Sequence, residues 1–155
     1  MQDPAALRQR GASGEHGLDP GRDPERTPMQ WTPHAYAGFS TREPWLPVNP
    51  DHPERNVEAQ DADPFSMLTL VRTLLVVRKE TPALLTGAYQ TYKAPEGVFA
   101  YLRGGEVLVA LNFTQKSKTL STPKGEILLS SHLDRYGKVE GALELRPNEG
   151  VIIKL

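Results

Sequence analysis

A chain of 155 residues has the length of one ordinary domain and enough material to bury a core. Its 18 basic and 19 acidic side chains leave a formal charge of -1, so no cationic excess draws it to nucleic acid or a membrane surface, and a neutral, sugar-like partner is expected instead. With no cysteine, neither a disulfide framework nor a thiolate metal site is available, which fits a cytoplasmic protein.

Met1 to Arg10 lack a basic cluster followed by an apolar run, and no stretch approaches the roughly 20 apolar residues that cross a bilayer. Neither a signal peptide nor a membrane span is expected. Nine of the 14 prolines fall in residues 1–62, where only 18 side chains are apolar, against 41 in the following 93 residues. So proline-rich a segment cannot offset its own chain entropy, and must borrow contacts from elsewhere. Trp31, Tyr36, Phe39 and Trp45, set between turn signals such as Thr32-Pro33 and Glu43-Pro44, predict a long ordered loop.

Asp63-Pro64 predicts a helix start, with Asp63 as N-cap and proline in the first turn, and the helix should run to about Lys79, where Thr81-Pro82 stops it. Met67, Leu68, Val71, Leu74 and Leu75 form one apolar stripe, read as core packing, while Arg78 and Lys79 suit the negative end of the dipole. Beyond Gly87 the period becomes that of strands, predicted at 88–92, 98–103, 106–113, 118–120, 126–130, 142–146 and 150–155. Gly104-Gly105 predicts a two-residue hairpin setting Val98, Ala100 and Leu102 against Val107, Val109 and Leu111. Pro95-Glu96-Gly97 and Pro147-Asn148-Glu149-Gly150 are further turns. The expected fold is mainly β: an antiparallel sandwich preceded by one helix and a long proline-rich loop.

The run Gly21-Arg22-Asp23-Pro24-Glu25-Arg26-Thr27-Pro28-Met29-Gln30-Trp31 resembles a signature of the alpha-glucosidase and oligo-1,6-glucosidase branch of the alpha-amylase superfamily. Ala37-Gly38-Phe39-Ser40, Pro44-Trp45-Leu46-Pro47-Val48-Asn49-Pro50 and Asn56-Val57-Glu58-Ala59-Gln60 resemble the same branch, in the same order. So does Arg78-Lys79-Glu80-Thr81-Pro82-Ala83-Leu84. The resemblance implies that residues 1–62 are the loop after the last strand of a (β/α)8 barrel, 63–85 the last barrel helix, and 86–155 a C-terminal β-sandwich of Greek-key type.

Members of this branch hydrolyse terminal alpha-linked glucose with retention, through an aspartate nucleophile and a glutamate acid/base. Retention needs two carboxyl groups roughly 5 Å apart, one with a raised pKa. Nothing in this chain matches the family context of that pair, so no catalytic residue is assigned. Arg22 matches the arginine that the family sets against the bound glucose, where a planar fork of donors suits sugar hydroxyls. It is the one substrate-binding residue predicted.

Asp23 and Arg26 are read as pairing with each other or capping backbone, and Trp31, Phe39 and Trp45 as packing anchors rather than sugar platforms. His16, His34, His52 and His132 lack ligand spacing, so no metal and no cofactor are expected. The glycine-rich stretch 11–21 has no strand before it and is not a phosphate cradle; Ser13 and Ser40 lack the context of a nucleophile elbow.

The resemblance thus implies the C-terminal portion of an alpha-glucosidase, a scaffold inactive alone, whose partner is an alpha-glucoside or malto-oligosaccharide. Self-association is expected through surfaces that a barrel would cover. An isomerising, trehalose synthase-like parent stays open, as does a noncatalytic module that binds carbohydrate or stabilises a barrel. Two or three coplanar exposed aromatics on one sheet face would mark the binding module, whereas Tyr89, Tyr92, Phe99, Tyr101 and Phe113 are expected in core and interface.

Overall fold

The computed structural model describes residues 23–155, in two compact units: one ends at Asp63 and the other is Pro64–Leu155. The described residues of the first unit, 23–63, have little regular structure. Two 3-10 turns, Pro24–Arg26 and Ala35–Gly38, precede helix α1, Val57–Ala62. Asn56 caps α1 by accepting from the Ala59 N–H, 2.8 Å away, and its own amide donates to the His52 carbonyl at 2.9 Å. Tyr36 and Ala37 both hold φ of 54°, a left-handed conformation that is costly for non-glycine residues. The side chain of Ala37 is completely buried there.

In the second unit helix α2 spans Met67–Glu80 and α3 spans Pro82–Thr86. The predicted N-cap of α2, Asp63, is wrong by three residues. Ser66 is the N-cap, its hydroxyl accepting from the Thr69 N–H at 3.1 Å, while Asp63 is the C-cap of α1. Both residues carry capping chemistry, and the one that reaches the third N–H of the helix wins. Thr81-Pro82 does break the helix, because proline cannot donate to the preceding turn, but it also opens α3, so two helices stand where one was expected. The stripe read as core is not buried: no residue of α2 is buried, and Met67 and Leu75 are 67% and 62% exposed.

The rest is antiparallel sheet, as the sequence predicted. Strands β1 (Tyr89–Thr91), β2 (Val98–Arg103), β3 (Val107–Asn112), β8 (Gly150–Lys154), β5 (Gly125–Ser130) and β6 (Gly137–Val139) form one sheet in that order. Strands β4 (Lys118–Ser121) and β7 (Ala142–Leu145) pair as a second. Strand β6 was not foreseen, because Gly-Lys-Val is too short to show alternation. The last strand lies between β3 and β5, so the connections cross in the Greek-key manner.

Packing the two sheets together buries Ala100, Leu108, Ala110, Leu120, Ile127, Val139, Leu143, Leu145, Val151 and Ile153 in one core. Each large aliphatic side chain in it is worth about 1.5–3 kcal/mol relative to exposure. Asn112, at the end of β3, ties the sheets at one end by donating to the carbonyls of Lys116 and Arg146, both at 2.8 Å.

The β2–β3 hairpin corrects the predicted register. Ala100 pairs with Ala110 and Leu102 with Leu108, whereas Val109 opposes Tyr101. The loop has three residues, Gly104, Gly105 and Glu106, closed by Glu106 N–H donating to the Arg103 carbonyl at 3.2 Å. One added residue turns every side chain of β3 to the opposite face. Val107 and Val109 therefore leave the sandwich core and pack with Ala83 on the outer face, beside Leu84, Tyr101, Leu111 and Ile152. Gly87 lets α3 come this close: a Cβ there would collide with the Ala83 carbonyl and the Gly104 backbone.

Candidate functional site

Arg22, the predicted substrate contact, lies outside the described residues. The signature stretches that follow it are knitted to one another. The carbonyls of Gln30 and Trp31 accept from Val57 and Glu58 N–H at 2.9 and 3.0 Å, which satisfies two of the orphan donors at the start of α1. Gln30 also donates through its side chain to Asp51 Oδ1 at 3.0 Å and to the Arg55 carbonyl. The Ala37 carbonyl in turn accepts from both Trp31 and Thr32 N–H, at 2.9 and 3.0 Å. Three short motifs separated in sequence thus form one hydrogen-bonded platform, joined through the Gln30 side chain to Asp51 and Arg55.

Asp23 and Arg26 are linked through the main chain, Arg26 N–H donating to the Asp23 carbonyl at 3.1 Å. Trp31, Phe39 and Trp45, expected as packing anchors, are each about half or more exposed and add apolar surface to the unit that carries the signature. Among the described residues no cluster of histidine and carboxylate side chains could hold a metal ion.

In the second unit the described carboxylates that converge are Asp134 and Glu149, and both are committed to Arg146. The guanidinium bonds Asp134 at 2.6 Å and Glu149 at 2.8 Å, while Arg146 N–H donates to the other Glu149 oxygen at 2.8 Å. Ser130 Oγ adds a bond to Glu149 at 2.8 Å and Arg135 another at 3.1 Å. Hydrogen bonding to Arg146 holds the Asp134 carboxyl down at about 2. Burial pushes Glu149 up, but the bonds from Arg146 and Ser130 and the Arg135 charge outweigh it, leaving the pKa below its ordinary value. A general acid needs the opposite shift, so this cluster is a structural clamp between the turn at 147–149 and the loop after β5.

The outer face of the larger sheet was missed by sequence reasoning, because the assumed hairpin register sent its residues inward. A cleft of about 540 Å³ lies between α2 and this face, lined on the helix side by Leu70, Leu74 and Arg78 and on the sheet side by Tyr101, Arg103 and Ile152. Tyr101, which lines it, touches two further rings: its centroid lies 5.4 Å from that of Tyr89 and 5.5 Å from that of Phe99. Tyr89 is 55% and Phe99 46% exposed. Of the aromatics expected in core or interface, Tyr92 is packed against the sandwich core, while Phe113 is exposed.

Comparison with known proteins places these features. The alpha-amylase catalytic-domain profile matches residues 2–87. The chain is 34% identical over 145 residues to the oligo-1,6-glucosidase of Bacillus cereus, covering 87% of this chain and 26% of that protein. Among solved structures, the trehalulose synthase MutB from Pseudomonas mesoacidophila MX-45 superposes with a TM-score of 0.74 at 38% identity, over 86% of this chain and 26% of that one. The isomaltulose synthase from Klebsiella sp. LX3 gives a TM-score of 0.76 at 30% identity, over 86% and 26%. The chain spans about a quarter of the length of each of these relatives.

Proposed function

The chain belongs to the alpha-amylase family, and from that premise we propose that it is the carboxyl-terminal portion of an alpha-glucosidase that releases terminal alpha-linked glucose from maltose-like oligosaccharides. In this reading residues 1–62 are the loop after the last barrel strand, 63–85 the last barrel helix and 86–155 the β-sandwich domain. The chain is a scaffold, inactive alone and cytoplasmic. One observation carries the proposal: the catalytic-domain match ends at residue 87, and α2, inside it, has an apolar stripe none of whose residues is buried.

The committed carboxylates support the same reading, since Asp134 and Glu149 are held ionised by Arg146 and offer no proton donor. Arg22 then contacts the bound glucose from a position just before the Gln30 platform. The exposed Met67, Val71 and Leu75 make the separate chain self-associate.

A second reading, an isomerising parent, is favoured by the likeness to the trehalulose and isomaltulose synthases. Product analysis of the longer protein on maltose and on sucrose separates the two. Free glucose from maltose supports the glucosidase. Rearranged disaccharide from sucrose, with little free glucose, contradicts it. An Arg22→Lys variant of that protein should lose at least about tenfold in kcat/KM, because a point charge replaces a planar fork; an unchanged value removes Arg22 from the site.

A further inference from the structure

We propose that the cleft between α2 and the outer face of the larger sheet binds a free medium-chain fatty acid, with its alkyl chain along the apolar walls and its carboxylate held by Arg78 and Arg103. Leu70, Leu74 and Arg78 follow one another at intervals of four on one face of α2, a row about 12 Å long at 1.5 Å per residue. Tyr101 and Arg103 of β2 and Ile152 of β8 stand on the opposite wall. An extended medium-chain alkyl group matches the length of that row. The volume of about 540 Å³ also lies within the range of small-molecule sites, roughly 300–1,000 Å³.

The charge of the cleft is gathered at one end. Helix α3 begins shortly after Arg78, and its Ala83 meets the hairpin loop beside Arg103: a Cβ on Gly104 would lie 3.3 Å from that of Ala83. Both arginines therefore belong to the end where α3 meets the hairpin, while Leu111, toward the far end of β3, lines the other. Among the described residues no aspartate or glutamate lines the cleft, and neither arginine side chain has an ion-pair partner. Arg78 also suits the negative end of the helix dipole, but Arg103 lies on a strand and has no such counterpart. Two like charges at one end of an apolar cleft are complementary to a single anion with an apolar body, and the planar fork of a guanidinium takes a carboxylate through two parallel bonds. Arg103 Nε is enclosed by protein and without a partner, so the bonds to the ligand are assigned to the terminal nitrogens. The site rests on this lining alone and not on the glucosidase reading.

The test is a titration of the isotope-labelled 155-residue chain with decanoate, decanol and decyltrimethylammonium, each kept below the concentration at which it self-associates, followed by amide shifts. Saturable shifts at residues 70–78, 101–103 and 150–152 with decanoate are expected. Binding should be about tenfold weaker for the alcohol and for the cation, which lack the carboxylate. Octanoate should also bind about tenfold more weakly, because it buries two fewer methylenes. Arg103→Met should lose about tenfold for decanoate and nothing for decanol, the second reading showing that the cleft is intact; Arg103→Lys, which keeps the charge and loses the fork, should lose about threefold. Unshifted spectra, equal binding of the three amphiphiles, shifts confined to α2 with the sheet silent, or arginine variants that bind decanoate as well as the parent sequence overturn the proposal. Shifts that follow protein concentration without ligand overturn it too, giving the face to a second copy of the chain. Failure of the longer protein to bind decanoate likewise overturns it, giving the cleft to a contact with the rest of that protein.

Discussion

Glu149 is the most constrained charge among the described residues: a fully buried carboxylate that accepts from Ser130, Arg135 and both side chain and backbone of Arg146. Removing it leaves two guanidiniums without their buried partner, so Glu149→Ala should cost about 3 kcal/mol in urea unfolding. The pH dependence has a definite sign. The ordinary values are 4.5 for Glu149 and 3.8 for Asp134, and folding lowers both, Asp134 to about 2. The unfolded chain therefore takes up protons first as pH falls. The stability from this cluster is full above about pH 5 and is lost as pH falls through the interval between 4.5 and about 2. Urea midpoints across that range should fall in the wild type and fall less in an Arg146→Met chain. At this scale the sequence was legible where motifs lie, as with Gln30 and Asn56. It was silent about the clamp, because Ser130, Asp134, Arg146 and Glu149 meet only after the strands pair.

At the scale of elements, the signals in the sequence were right in kind and wrong by one or a few positions. Helix α2 exists and ends at Thr81-Pro82 as its pattern demands, yet Ser66 displaced Asp63 at its start. Ser66→Ala should therefore cost about 1 kcal/mol of unfolding free energy, and Asp63→Ala should act on the end of α1 instead. The hairpin shows the same limit more sharply: a loop of three residues in place of two moved Val107 and Val109 out of the predicted core. Two adjacent glycines, both with positive φ, suit either loop length, so local chemistry could not decide. The uncovered stripe of α2 gives a further expectation. A Met67→Gln, Leu75→Gln chain should unfold within about 0.5 kcal/mol of the wild type, because neither side chain is buried. The same pair should lower self-association, read by sedimentation at rising concentration. A large loss of stability would mean that the stripe is core within this chain after all.

At the scale of the whole molecule, the shift in composition near residue 62 and the change of period after Gly87 anticipated a mainly β chain with a loop-rich beginning. Strand order was not legible. Strand β8 enters between β3 and β5, a pairing set by the burial of Val151 and Ile153 against Leu108 and Ile127 and by no local signal. Family membership was legible because several motifs recur in order, and the structure adds a physical reason for three of them: the stretches at 30–31, 37 and 57–58 bond to one another. The proposal that this chain supports, and does not itself perform, glycoside hydrolysis is tested most directly by assaying a chromogenic alpha-glucoside with the 155-residue chain beside the longer protein. The account predicts turnover by the longer protein and none above background by the chain. Turnover by the chain alone would contradict it, since the described carboxylates that meet, Asp134 and Glu149, are both held by Arg146.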